Sequence, residues 1–138
     1  MSIFFDVSGN IKPTLLCEDA EKVAGSLVKI FQGKVDGKNS ITSAQLRRFY
    51  GEFKSLEKKF QFRQGTGKSE REKAFLYVLP LIKMEKSKVA YAAKKVPYDF
   101  KKWMNDNVDA IATPEDFEAF LLHFEAVVGF CYGLGISD

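Results

Sequence analysis

Apolar side chains recur along this chain at intervals of three and four residues, the spacing that collects them on one face of an α-helix. No stretch alternates with the two-residue period of a strand for long enough to matter. The pattern predicts an all-α fold, a single compact bundle of about five helices spanning residues 1–138. The first helix is expected from about Cys17 to Gln32, with Ala20, Val23, Ala24, Leu27, Val28 and Phe31 on the core face and Gly33 as the stop. Thr42 opens the second as an N-cap, with Gln45 three residues on completing a capping box. Its stripe of Leu46, Phe49, Tyr50, Phe53, Leu56 and Phe60 runs to about Phe62. Ser69 and Glu72 suggest another box at the start of a third helix reaching about Lys95. Phe75, Leu79, Ile82, Val89 and Ala93 should face inward there, with a bend at Pro80, which lacks a backbone donor. Pro97 ends that helix, and a shorter one carrying Phe100, Trp103 and Met104 leads into an expected loop from Asn105 to Ala112. The last helix has Thr113 as N-cap, Pro114 in the first turn, and Glu115 and Asp116 at the positive end of its dipole. Phe117, Phe120, Leu121, Phe124, Val127, Val128 and Cys131 follow on one face, while Leu122, Ala126 and Gly129 keep the other small and apolar. Such a helix should be central, or shared with a neighbouring subunit.

The chain has 138 residues, 46% of them apolar, enough for one buried core. No apolar run approaches the roughly 18 residues of a membrane span, and the N-terminal stretch lacks a basic leader-type region. A cytoplasmic protein with no membrane partner is expected. Cys17 and Cys131 form neither a disulfide framework nor a zinc spacing, and read as buried, reduced thiols.

Charge changes the picture when divided along the chain. Residues 1–41 balance, residues 42–95 carry fourteen Lys or Arg against five acids, and residues 96–138 carry two against eight. A basic side suited to polyanions and an acidic side suited to basic neighbours are expected. On the second helix Arg47, Lys54 and Lys58 fall on one line outside the apolar stripe, and Arg48 and Lys59 on a line beside it. With Arg63 they form a ridge opposed by only Glu52 and Glu57, too few for the paired charges of an ordinary solvated face. Lys88, Tyr91 and Lys95 form a second basic surface on the third helix, flanked by Lys83 and Lys94. The candidate residues for binding nucleic acid or another polyanion are therefore Arg47, Arg48, Lys54, Lys58, Lys59, Arg63, Lys88, Lys94 and Lys95.

Other motifs carry less. Gly65-Thr66-Gly67-Lys68-Ser69 ends like a phosphate-binding loop, but Phe62 stands where that pattern needs glycine and a helix precedes it instead of a strand. Residues 105–116 approach a calcium-binding EF-hand, with Asn107 and Asp109 at ligand positions. Ala110 replaces the turn glycine, Asp116 the long final carboxylate, and Pro114 interrupts the loop. His123, the single histidine, has no nucleophile or acid beside it and reads as a core or interface residue. No catalytic residue, metal ligand or cofactor site is predicted.

Three segments together resemble the small subunit of the type III-A CRISPR-Cas effector, the Csm complex. They are Ile41-Thr42-Ser43-Ala44-Gln45-Leu46-Arg47-Arg48-Phe49-Tyr50, Lys88-Val89-Ala90-Tyr91-Ala92-Ala93-Lys94-Lys95, and the run from Phe120 to Phe130 with its Glu125-Ala126 pair. The resemblance covers most of residues 41–133 and takes in neither the first forty residues nor the loop 61–70. It implies a non-catalytic helical subunit, several copies of which stack in a filament beside the guide RNA and contact target RNA through basic residues without sequence preference. The implied partners are target and guide RNA, a repeating backbone subunit, a polymerase-like large subunit and copies of itself. A helical adaptor unrelated to CRISPR, a calcium switch and a DNA-binding helical module are the competing readings, and the choice between single strand and duplex stays open.

Overall fold

The computed structural model describes residues 2–92 and 95–136. A 3-10 turn at Pro13–Leu16 leads into α1 (Glu18–Leu27). A hairpin of β1 (Ile30–Phe31) and β2 (Lys34–Val35) follows, and then α2 (Ser43–Arg63), α3 (Lys68–Tyr91), α4 (Tyr98–Ala110) and α5 (Pro114–Gly133). Among the described residues there are thus five α-helices, the number the periodicity predicts, and a single two-stranded sheet.

The core is built along α5. Phe117, Phe120, Leu121, Phe124, Val127 and Cys131 are all buried, as their spacing requires. Opposite them α2 runs antiparallel: Phe60 meets Phe117 at 6.2 Å between ring centroids, Phe53 meets Phe120 at 5.1 Å, and Tyr50 meets Phe124 at 5.2 Å. From α4, Trp103 stands edge-on to Phe124 at 5.0 Å, and from α3, Phe75 reaches Phe117 at 6.5 Å. Tilted and edge-on pairs of this kind add about 0.5–1.5 kcal/mol each beyond area burial. The N-terminal segment contributes Phe4, fully buried under a turn closed by Lys12 N–H donating to the Phe4 carbonyl.

Both capping boxes that bound the basic and central helices form. Thr42 Oγ1 accepts from Gln45 N–H while Gln45 Oε1 accepts from Thr42 N–H, and Thr113 and Asp116 reciprocate at α5. Elsewhere the structure differs from the expectation. The first helix ends at Leu27, not Gln32, because Val28 turns extended and Lys29 N–H is taken by Ser40 Oγ at 2.8 Å. Gln32 and Gly33 both adopt positive φ, the conformation of a tight two-residue hairpin turn, and Phe31, expected in the core, is 67% exposed. The third helix begins two residues early, with Gly67 and not Ser69 at the N-cap, and runs through Pro80 to Tyr91. Ala93, assigned to its core face, lies outside the described residues. The expected loop from Asn105 is helical as far as Ala110, since Lys83 of α3 donates to the carbonyls of Val108 and Ile111 and so satisfies the end of α4 from outside.

Candidate nucleic-acid interface

The capping box at Thr42 sets the phase of α2, and with it the direction of every charge on that helix. Leu46, Phe49, Phe53, Leu56 and Phe60 are buried, so Arg47, Arg48, Lys58, Lys59 and Arg63 are carried to the exposed side, with Lys54 half-buried at its margin. Arg48, Lys54 and Lys88 are held in ion pairs. Arg48 pairs with Glu52 at 3.3 Å, Lys54 with Glu57 at 2.6 Å, and Lys88 of α3 with Glu52 at 2.8 Å and Glu85 at 3.2 Å. The bond to Glu57 raises the Lys54 pKa, and the bonds to Glu52 and Glu85 raise that of Lys88 despite partial burial. Glu85 itself is buried, and burial together with the neighbouring Glu52 charge pushes its carboxyl up to about 7.

Lys58, Lys59 and Arg63 have no carboxylate in ion-pair range among the described residues. Arg63 lies over the Tyr77 ring, 3.4 Å from its centroid. Lys95 opens onto a concavity of about 530 Å³ lined also by Lys29, Lys38, Asp36 and Asp99, and its carbonyl accepts from Gln45 Nε2 at the start of α2. Lys94 lies outside the described residues.

Charges separated along the sequence partly meet again in space. Arg71 of the basic segment binds Glu118 at 2.7 Å and Glu115 at 3.7 Å, and Lys86 binds Asp109 at 2.5 Å. These contacts use part of the basic surplus to fasten α3 to the acidic C-terminal third. Three cations without an ion pair among the described residues stand together where α2 ends beside α3. There Ser55, Lys58, Lys59, Phe62, Arg63 and Tyr77 line a shallow groove of about 480 Å³. Phe62, read from the sequence as the end of the helix, is 92% exposed, and Tyr77 is half exposed. A signal for it was present: Phe62 stands three and four residues after Lys59 and Lys58, the spacing of helical neighbours.

Asn107 Nδ2 donates to the Trp103 carbonyl and Asp109 Oδ1 accepts from Lys86 Nζ, and both near-EF-hand positions lie on α4. His123 is buried, with Nε2 3.0 Å from Trp103 Nε1 and Nδ1 2.6 Å from the Leu15 carbonyl. Among the described residues no three His, Cys, Asp or Glu side chains are grouped to hold a metal ion, and no helix is long and apolar enough to cross a membrane.

The sequence profile of the Csm2 type III-A family matches residues 12–132. This chain belongs to that family. It is a small subunit of the type III-A CRISPR Csm complex, which sets aside an adaptor unrelated to CRISPR. The match extends the motif resemblance backwards over residues 12–40 and across the loop 61–70. No curated protein and no solved structure matches the chain.

Proposed function

We propose that this subunit binds RNA within the Csm complex through the exposed side of α2, holding phosphates and reading no bases, and that it performs no chemistry of its own. The observation that carries the reading is the trio Lys58, Lys59 and Arg63, uncompensated at the end of a ridge whose other charges are partly paired. Phosphate neutralisation releases counterions and gives affinity that is largely indifferent to sequence, which suits a subunit that must lie along any guide. Copies stacking side by side in a filament, next to the repeating backbone subunit and the polymerase-like large subunit, would align these ridges along guide and target RNA. A cytoplasmic setting and a single helical domain over residues 1–138 belong to the same reading, supported by one continuous buried core. The absence of chemistry is supported by His123, whose two ring nitrogens are both occupied inside the protein.

The test is RNA binding across a salt series. Replacing Lys58 and Lys59 together by Ala should flatten the log–log salt slope by about 1.4 for a single strand, two phosphate contacts' worth, while helicity stays unchanged. Replacing Lys54 should matter less, because Glu57 already neutralises it. An unaltered slope in the Lys58/Lys59 variant would make the ridge an ordinary solvated face. RNA cleavage by the purified chain, abolished by changing His123, would overturn the non-catalytic half of the proposal.

A further inference from the structure

We infer that the groove at the end of α2 takes an unpaired nucleotide, its base stacked on Phe62 and its flanking phosphates held by Lys58, Lys59 and Arg63, so that the subunit favours single-stranded RNA over duplex. The inference rests on the RNA-binding reading above and adds the class of RNA.

Phe62 is the anomaly that starts the argument. The other phenyl rings of α2, at Phe49, Phe53 and Phe60, are each no more than 1% exposed, whereas Phe62 is 92% exposed. Phe60 takes the core position, so the ring two residues later is directed outward and adds nothing to the packing of the bundle. Its surroundings are not those of a stray apolar side chain. Side chains on a helix lean toward the N-terminus, which carries the Phe62 ring over the turn holding Lys58 and Lys59. Ser55, one turn further back, contributes a hydroxyl to the same groove.

The opposite wall is formed by Arg63 and Tyr77. The guanidinium rests on the Tyr77 ring at 3.4 Å, an arrangement that occupies one face of the cation and leaves its edge N–H groups for an acceptor. Glu70 lines an adjoining hollow with Arg63, Lys73 and Tyr77, and it is outnumbered there. An open aromatic face bordered by cations is the combination that binds single strands, with stacking on the ring and phosphates on the charges. In a duplex each base face is covered by its neighbours, so the ring would have nothing to stack on and only the cations would act. Charge complementarity also selects the occupant, because three uncompensated cations around the ring suit a polyanion.

The experiment compares the full chain with Phe62→Ala and Phe62→Tyr on three probes: a 12-nucleotide single-stranded oligoadenylate, an RNA duplex of the same length, and the single strand with abasic positions. Phe62→Ala should weaken single-strand binding about fivefold or more with an unchanged salt slope, and should leave duplex and abasic binding as they were. Phe62→Tyr should restore the affinity, since it keeps an aromatic face. Because the ring is exposed, helicity and unfolding midpoint should match the unmutated chain. Unchanged single-strand affinity in Phe62→Ala, or an equal loss on duplex, overturns the inference while the ridge can still pass its own Lys58/Lys59 test. A shift of Phe62→Ala to a smaller sedimenting species without loss of RNA affinity overturns it in favour of a second copy covering the ring. If the unmutated chain binds none of the three probes, the RNA-binding reading itself fails and the inference falls with it.

Discussion

His123 is held by two bonds that one protonation state alone can make. Trp103 Nε1 can only donate, so His123 Nε2 accepts, the proton sits on Nδ1, and Nδ1 donates to the Leu15 carbonyl. Burial holds the pKa below the ordinary 6.5, although the Leu15 bond works the other way. The unfolded chain therefore binds a proton that the folded one refuses, and stability falls as pH drops below 6.5. His123→Leu should remove that slope between about pH 5 and 6.5 at a cost of about 1–3 kcal/mol for the two stranded partners, read from urea midpoints. Glu85 has the opposite sign. Its raised pKa means the folded state holds the extra proton, so its contribution is complete below the ordinary 4.5 and is lost as pH rises through about 7. Glu85→Gln should accordingly stabilise the protein at pH 8 relative to its own effect at pH 5, with Glu52 and Lys88 still paired beside it. Cys131, pushed up to about 12 by burial, should resist alkylation until unfolding, and exposed Cys17, whose thiolate is disfavoured by Glu18, should react alone and slowly.

At the scale of elements, local sequence signals held where the chain closed them on itself. The boxes at Thr42 and Thr113 use partners three residues away, so their formation needs no tertiary information. Thr113→Ala should cost about 1 kcal/mol, measured by thermal or urea unfolding, with the loss confined to the start of α5 in hydrogen exchange. Phe53 lies between Phe120 and Phe124, and Phe53→Ala should cost about 3–5 kcal/mol by leaving a cavity between α2 and α5. α1 ends before the point its spacing predicts because Gly33 can stop a helix or close a hairpin equally well. The β-forming run Val28-Lys29-Ile30-Phe31 and the Ser40 hydroxyl decided for the hairpin. α4 runs past the point its spacing predicts because the Val108 carbonyl is satisfied by Lys83, 25 residues away in sequence.

Across the whole molecule, folding redistributes charge that the sequence presents as separate blocks. Arg71 and Lys86 are spent on Glu118, Glu115 and Asp109, and are structural fasteners more than RNA contacts. Arg71→Ala and Lys86→Ala should each lower stability by less than about 1 kcal/mol, because the pairs are partly exposed, and should leave the RNA salt slope within error of the unmutated value. Under the proposed RNA-binding reading, a loss of slope at Lys58 and Lys59 but not at Arg71 or Lys86 would place the RNA at one end of the α2–α3 hairpin and not along the basic segment as a whole.

The helical class, the phase of α2 and the buried face of α5 were determined by the sequence alone, because a 3.6-residue period and a capping box are local properties that any folded context must respect. The family was legible too, from three segments whose order and spacing survive without coordinates. Which cations stay unpaired was decided by tertiary structure. An ion pair such as Lys88 with Glu52 joins residues 36 positions apart, and nothing in the spacing of either helix foretells it. The same holds for the groove: Phe62 and Arg63 belong to α2, Tyr77 to α3, and the two helices had to pack before an exposed ring and a stacked guanidinium could face one solvent-filled hollow.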